Sequence, residues 1–86
     1  MPRMPRLFVE GGVYHVYNRT ARGERLFEDE REARRFLRLV GEVKERDGLV
    51  VLAWALLSNH YHLAVRSGPV PLSRSLRSIQ GRFSQA

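Results

Sequence analysis

The sequence contains no cysteine, which excludes disulfide bonds, thiolate metal sites and thiol nucleophiles. It also lacks a long hydrophobic run: the longest one, residues 49–57, is far shorter than the roughly 20 residues that a membrane-spanning helix needs. No apolar stretch long enough for a signal peptide follows the arginines near the N-terminus. We therefore expect a cytoplasmic protein with no membrane partner.

Acidic side chains are missing from the last quarter of the sequence. Residues 66–86 hold four arginines and no aspartate or glutamate, and the whole chain has a net charge of +6. A second basic stretch precedes the predicted first helix. Basic segments that have no acidic neighbours suit a phosphate-rich partner, although they are also compatible with simple solvation. The candidate nucleic-acid contacts are Arg19, Arg22, Arg25, Arg74 and Arg77.

The length of 86 residues and the 43% hydrophobic content predict one small globular domain, residues 1–86. A β-branched and aromatic run predicts a first strand, apolar residues at three- and four-residue spacing predict two helices, and two further runs predict strands. Asp29 with Glu32 favours a capping box, and Gly48 favours a left-handed helix stop. The predicted elements are a strand at Val13–Asn18, a helix at Asp29–Asp47, strands at Leu49–Leu57 and His60–Arg66, and a helix from about Leu72.

The order β-α-β-β-α predicts an α+β fold of the split βαβ, ferredoxin-like type. The last strand lies between the other two and is antiparallel to both, and both helices cover one face of the sheet. The apolar strand at residues 49–57 is expected to be covered on both faces and away from the sheet edge, with Trp54 in the core. Ser58 and Asn59 form a two-residue hairpin turn.

Two histidines separated by one residue are the most informative feature of the chain. Side chains alternate along a strand, so His60 and His62 share one face while Tyr61 and Leu63 point towards the helices. Two imidazoles on a stiff strand make a pair of metal ligands that needs a third group from elsewhere. The alternative is a pair of polar side chains on an exposed strand. His15 and Tyr17 on the first strand share one face and are weaker candidates for a ligand and a nucleophile.

Several motifs agree in order and spacing with one known family. Residues 14–19 (Tyr-His-Val-Tyr-Asn-Arg), Leu26-Phe27, the first helix and residues 59–63 (Asn-His-Tyr-His-Leu) resemble the IS200-like tyrosine transposases of the HUH endonuclease superfamily. The branch associated with repetitive extragenic palindromes (REPs) is the most similar. The resemblance covers residues 10–86, and this chain has Leu57-Ser58 where the family usually has Met-Pro.

This resemblance implies a truncated HUH transposase domain that binds single-stranded or hairpin DNA. His60 and His62 would bind a divalent metal, magnesium or manganese, which polarises the scissile phosphate. A tyrosine hydroxyl would then cut and rejoin the strand through a 5′-phosphotyrosine intermediate.

The resemblance also places the nucleophile outside this sequence. In the family, the catalytic tyrosine and the third metal ligand lie on a helix downstream of the segment matching residues 72–86, and so beyond Ala86. We therefore assign no catalytic residue to the chain. We expect this N-terminal part to be catalytically incomplete, with DNA binding a firmer expectation than cleavage.

Two other interpretations remain open at this point. The chain is alternatively a non-enzymatic module that binds single-stranded nucleic acid, a class that stacks bases on aromatic side chains of an open sheet face. It is alternatively a decayed remnant without activity. The uncovered histidine face, with its apolar neighbours Val13 and Ala64, also favours a homodimer.

Overall fold

The computed structural model describes residues 10–20 and 24–84. Two residues named in the sequence analysis, Arg22 and Ala86, lie outside the described part of the chain. The DNA contact expected at Arg22 and the catalytic tyrosine expected beyond Ala86 therefore stay predictions.

The predicted order of elements, β-α-β-β-α, is confirmed. The α+β class predicted from the sequence is therefore correct. The elements are β1 (Val13–Arg19), α1 (Glu30–Asp47), β2 (Val50–Leu57), β3 (His60–Arg66) and α2 (Leu72–Ser84).

The three strands form one antiparallel sheet in the order β1-β3-β2. β3 pairs with β1 and with β2, and both pairings are antiparallel, as the split βαβ arrangement requires. The hairpin between β2 and β3 turns at Ser58 and Asn59. Because β3 is the central strand, its side chains occupy the middle of both sheet faces.

Helix α1 begins and ends where its sequence predicts. Asp29 is the N-cap, and its Oδ1 accepts a hydrogen bond from the backbone N–H of Glu32 at 3.0 Å. The Glu32 carboxylate accepts in return from the N–H of Glu28 rather than from that of Asp29, so the capping box is shifted by one residue. Gly48 ends the helix with φ of 76°, a left-handed conformation that glycine adopts without a Cβ clash.

The hydrophobic core lies between the two helices and one face of the sheet. Tyr61, Leu63 and Val65 point from β3 into this core and are at most 2% exposed. An aromatic cluster completes it: the Phe36 ring of α1 lies 4.7 Å from the Tyr61 ring, and Phe27 and Phe83 meet Phe36 edge to face. The helices therefore cover one side of the sheet, as predicted.

The end of α1 is joined to α2 by a buried carboxylate. Asp47 is 5% exposed and accepts hydrogen bonds from Arg46 Nε at 2.7 Å and from Ser75 Oγ at 2.6 Å. The loop between β3 and α2 approaches the end of α1 so closely that a Cβ on Gly68 would lie 2.5 Å from the carbonyl oxygen of Gly48. A glycine is needed at position 68 for this contact to form.

The prediction for β2 is wrong. β2 is an edge strand, and its residues Val50, Leu52 and Leu57 are each more than 40% exposed. Trp54, predicted to be in the core, is 56% exposed. Its cross-strand partner is the buried Leu63, but Val51 and Leu56 are the β2 side chains that pack against the core. An irregularity between Val51 and Ala53 also interrupts the alternation of the strand.

Candidate functional site

The sheet face that the helices leave uncovered carries both histidines of β3. We call it the open face, and its members follow from the strand register, since directly paired residues point to the same side of a sheet. The open face consists of Val13, His15, Tyr17 and Arg19 from β1, His60, His62, Ala64 and Arg66 from β3, and Val50, Ala53, Ala55 and Leu57 from β2.

His60 and His62 lie together on this face, as the sequence predicts. Their ring centroids are 5.1 Å apart and the ring planes are nearly perpendicular, at 82°. Both side chains are partly exposed. The two imidazoles are therefore close enough to contribute to one binding site, and they are open to solvent on the side away from the helices.

Each of these histidines has one hydrogen-bond partner through its Nδ1 atom. His60 Nδ1 lies 2.7 Å from Asn59 Oδ1, and His62 Nδ1 lies 3.0 Å from His15 Nε2. The structure thus brings all three histidines of the chain into one cluster, with His15 in contact with His62. The sequence made His15 a weaker candidate ligand on a face with Tyr17, but it did not predict the direct contact with His62.

Tyr17 is the aromatic member of the cluster. Its ring centroid lies 4.8 Å from that of His62 and 5.8 Å from that of His60, and its side chain is 49% exposed. The other two tyrosines lie on the helix side of the sheet. Tyr61 is 1% exposed and its hydroxyl accepts a hydrogen bond from Gln80, and Tyr14 is packed partly against the core. Tyr17 is therefore the tyrosine that a molecule on the open face would meet.

The charge state of His60 is set by its surroundings. Partial burial lowers its pKa below the usual imidazole value, and the positive charges of Arg19 and His62 lower the pKa further. Arg19 is the direct cross-strand partner of His60 on β1. His60 is thus neutral at neutral pH, which is the form of imidazole that binds a metal ion.

The donor set fits part of a metal site. Imidazole nitrogens suit a transition-metal ion such as Mn²⁺ better than Mg²⁺, which prefers oxygen ligands. Within residues 10–20 and 24–84, no group of three or more histidine, cysteine, aspartate or glutamate side chains comes close enough to hold a metal ion. His60 and His62 therefore supply two ligands, and the remaining positions would need water, phosphate oxygens or another segment.

Small side chains form a flat floor beside the histidines. Ala53, Ala55 and Ala64, together with His15, His62 and Trp54, line a shallow depression of about 250 Å³. The open-face positions of β2 and β3 next to His62 are alanines, so the floor of the depression is low between His62 and Trp54. The floor leaves room for a flat ligand to lie against the sheet next to His62.

The predicted arginines are divided between two sides of the molecule. Arg19 lies on the open face beside His60. Arg25 is in the loop before α1, where its Nη1 lies 3.5 Å from the carbonyl oxygen of Glu28. Arg74 and Arg77 line a groove on the helix layer together with Arg46, which the sequence analysis did not select. Arg46 already binds Asp47 and Ser78, whereas Arg74 and Arg77 of α2 form no ion pair among the described residues.

The described helices give no indication of a membrane segment. Neither α1 nor α2 is both long enough and apolar enough to cross a bilayer.

Comparison with known proteins identifies the fold. No protein-family model matches the sequence, and neither does any curated protein. The chain is similar to a solved structure of a REP-associated tyrosine transposase bound to a REP hairpin, with a TM-score of 0.81 and 22% sequence identity. The match covers 99% of this chain and 52% of that one, so this chain spans about half the length of the transposase. The resemblance stated from the motifs is confirmed at the level of the fold.

Proposed function

We propose that this chain is the histidine-bearing part of an HUH tyrosine transposase domain of the REP-associated type. The observation that carries the proposal is the placement of His60 and His62 side by side on the uncovered sheet face, on a fold shared with such a transposase. Two adjacent imidazoles, a neighbouring arginine and an accessible floor beside them suit a phosphodiester-processing site. We propose that it acts in the cytoplasm.

His60 and His62 hold a divalent cation in this proposal, with Mn²⁺ the better fit to two nitrogen ligands. Such a cation polarises a phosphodiester and stabilises negative charge on its oxygens. Arg19, as the cross-strand neighbour of His60, is placed to pair with a phosphate oxygen at the same end of the face. The chain's own residues thus bind and orient the scissile phosphate.

The complete reaction, strand cleavage and rejoining through a phosphotyrosine, is proposed for the protein to which this region corresponds. This chain spans about half of the similar transposase, and the nucleophile is proposed to lie beyond Ala86 rather than at any tyrosine of the chain. Tyr61 is excluded by burial and Tyr14 lies on the helix side. Tyr17 contacts both histidine rings, and we expect it to support them rather than to react.

The DNA partner is proposed to be a single strand or a hairpin, in line with the hairpin carried by the similar transposase. Arg19 and Arg25, with the predicted Arg22, would contact the strand that enters the open face. Arg74 and Arg77 lie on the helix layer, and among the described residues neither of them forms an ion pair. A DNA that used both surfaces would have to reach around the edge of the domain.

A cleavage assay tests this proposal. A 5′-labelled single-stranded DNA hairpin is incubated with Mn²⁺ and either the wild type or the His60→Ala, His62→Ala double variant, and products are separated on a denaturing gel. Cleavage or a covalent adduct that disappears in the double variant would support metal-dependent chemistry within this chain and would contradict the placement of the nucleophile beyond Ala86. Salt-sensitive binding without cleavage would support the DNA-binding role and place the nucleophile outside the chain. An absence of any binding would contradict the proposal.

The contribution of the arginines is tested by binding at several salt concentrations. Each lost phosphate contact weakens binding and reduces the slope of log K against log salt by about one. We expect this reduction for Arg19→Gln, and for Arg74→Gln with Arg77→Gln. Arg34→Gln removes an exposed arginine that is paired with Glu30 on α1, and it serves as the matched control with no expected change.

A non-enzymatic single-strand binder is the second candidate. The half-exposed ring of Tyr17 on the open face and the exposed Trp54 on the edge strand favour it, because aromatic side chains stack with unpaired bases. In that case Tyr17→Ala would weaken binding to single-stranded DNA strongly, while Mn²⁺ and the histidine substitutions would have no effect. The two candidates are separated by the metal dependence of binding and cleavage.

A homodimer that uses the apolar part of the open face is a further part of the proposal, and it would form in place of DNA binding at that face. Val13, Val50 and Leu57 expose apolar surface there, and a second copy is the simplest cover for it. Light scattering over a range of protein concentrations checks this, and a monomeric mass at all concentrations would rule it out.

A further inference from the structure

The hydrogen bonds of His60 and His62 carry information about where their protons are. A neutral imidazole bears one proton, on Nδ1 or on Nε2, and only the nitrogen without a proton can bind a metal ion. His60 Nδ1 lies 2.7 Å from Asn59 Oδ1. An amide oxygen accepts hydrogen bonds and never donates them, so His60 carries its proton on Nδ1 and its Nε2 is free.

The contact between His15 and His62 is a hydrogen bond within a common ring plane. The two planes differ by only 3°, yet the nearest nitrogens are 3.0 Å apart. Rings in face-to-face contact would be separated by about 3.5 Å, so these rings lie side by side instead of stacking. With ring centroids only 5.1 Å apart in one plane, the two nitrogens point at each other nearly in line. A metal ion bound by both would lie on that line, where 3.0 Å is too short for two metal–nitrogen bonds of about 2.1 Å each. His15 is therefore a hydrogen-bond partner of His62 and not a fellow ligand.

We propose that His15 and Asn59 are positioning residues that hold His62 and His60 with their protons on Nδ1, so that both Nε2 atoms are free to bind one cation. The inference rests on the proposed function. If His62 binds a metal ion through Nε2, its proton must lie on Nδ1, and His15 must then be the acceptor in the His15–His62 hydrogen bond. If His15 donated, the proton of His62 would lie on Nε2 and block it. If His15 accepts, His62 carries its proton on Nδ1, as His60 does, and its Nε2 is free.

Both acceptors are held by the fold. His15 lies on β1 two positions from Tyr17, the cross-strand partner of His62, so the strand register creates the diagonal contact. Asn59 is fixed in the hairpin turn, where its carbonyl oxygen accepts the backbone N–H of Thr20 at 2.9 Å. The Tyr17 ring also lies against His62 and limits its rotation. Ligands of a metal gain basicity and a fixed orientation from such outer hydrogen bonds.

Nitrogen NMR of the imidazole rings tests the inference without any metal. At about pH 8, above the ordinary imidazole pKa of about 6.5, two-bond couplings distinguish the two neutral forms. We expect the Nδ1–H form for both His60 and His62 in the wild type. His15→Phe keeps a ring of similar size but removes the acceptor, so His62 should become a mixture of forms. His15→Gln restores an acceptor oxygen and should restore the Nδ1–H form. For His60, Asn59→Ala removes the acceptor and should give a mixture of forms. Asn59→Asp restores an acceptor oxygen and should restore the Nδ1–H form.

Titration with Mn²⁺ supplies the second readout. We expect affinity to fall about 10- to 100-fold in His15→Phe and to recover in His15→Gln. A wild-type His62 with its proton on Nε2, or an unchanged His62 in His15→Phe, would overturn the inference. Wild type that fails to bind Mn²⁺ although both rings are in the Nδ1–H form would instead overturn the metal role, so the two failures are distinguishable. Backbone amide spectra confirm that each variant is folded.

Discussion

The two faces of the sheet are built from the same three strands, but one face forms the core and the other carries the candidate site. On the helix side, the β3 residues Tyr61, Leu63 and Val65 are almost fully buried. On the open face, the alternating β3 residues His60 and His62 are partly exposed and bonded to other polar groups. Folding free energy therefore comes mainly from the first face. The second face is free to carry imidazoles and arginines that a core would not tolerate.

The largest expected effect is on the helix side. Phe36 is 1% exposed and its ring contacts Phe27, Tyr61 and Phe83. Phe36→Ala should lower the free energy of unfolding by about 3–5 kcal/mol, enough to unfold much of a small domain. Tyr17→Ala removes an aromatic ring of the open face and should cost less than about 1 kcal/mol. Urea denaturation measures both changes in the free energy of unfolding. Equal losses would contradict the conclusion that the helix side supplies most of the folding free energy.

A medium effect is expected at Gly68, where the loop between β3 and α2 contacts the backbone at the end of α1. Gly68→Ala would place a Cβ 2.5 Å from one backbone oxygen and 2.6 Å from another, so the loop must shift. We expect a loss of about 1–3 kcal/mol in the free energy of unfolding. Gly81→Ala is the matched control, because a Cβ on Gly81 meets nothing within 4 Å in α2. It should stabilise the protein by about 0.5–1 kcal/mol. Equal effects would contradict the close approach at Gly68.

A smaller effect, visible only in acid, is expected at Asp47. The hydrogen bonds from Arg46, with a further contribution from Ser75, lower the pKa of Asp47 below its ordinary value of 3.8. A lowered native pKa means that the stabilisation is fully present above the unfolded-state value and is lost as the pH falls through the native one. Urea midpoints measured from neutral pH downwards should therefore fall steeply below about pH 4. In Asp47→Asn the part of this decrease in the urea midpoint that comes from Asp47 should disappear. An unchanged decrease at low pH would exclude Asp47 as its source.

The smallest stability effect is expected at Trp54. Because its side chain is 56% exposed, Trp54→Ala should cost less than about 1 kcal/mol, whereas a buried tryptophan would cost about 3–5 kcal/mol. Trp54 is the only tryptophan of the sequence, so the fluorescence of the wild type reports on it directly. We expect emission typical of an exposed indole and quenching by iodide. Blue-shifted emission without quenching would place Trp54 in an interface or in the core.

Local patterns predicted most of the fold. Asp29, Gly48 and the apolar spacing between them predicted α1 within one residue, because caps and helical periodicity are local properties. Period-two alternation placed His60 and His62 opposite Tyr61 and Leu63. These features depend on neighbours in sequence, and the structure agrees with them.

The remaining features depend on contacts between strands or helices that lie far apart in the sequence. The apolar run of β2 was expected to be covered on both faces, although the predicted central position of β3 already left β2 at a sheet edge. Hydrophobic composition alone does not show which faces of a strand find a cover. The bond between His15 and His62 joins residues 47 positions apart, through a register that no local pattern encodes. The groove at Arg46, Arg74 and Arg77 likewise forms only when α1 and α2 pack together.

Paramagnetic mapping with Mn²⁺ tests the central claim, that the open face is the functional face. Amide and imidazole signals of isotope-labelled protein are recorded during titration with Mn²⁺, for the wild type and for the His60→Ala, His62→Ala variant. We predict that broadening in the wild type is strongest at His60 and His62, weaker at His15 and Arg19, and weakest in the helices, and that the double variant loses it. Broadening that centres on the acidic start of α1, or that persists in the double variant, would contradict the account.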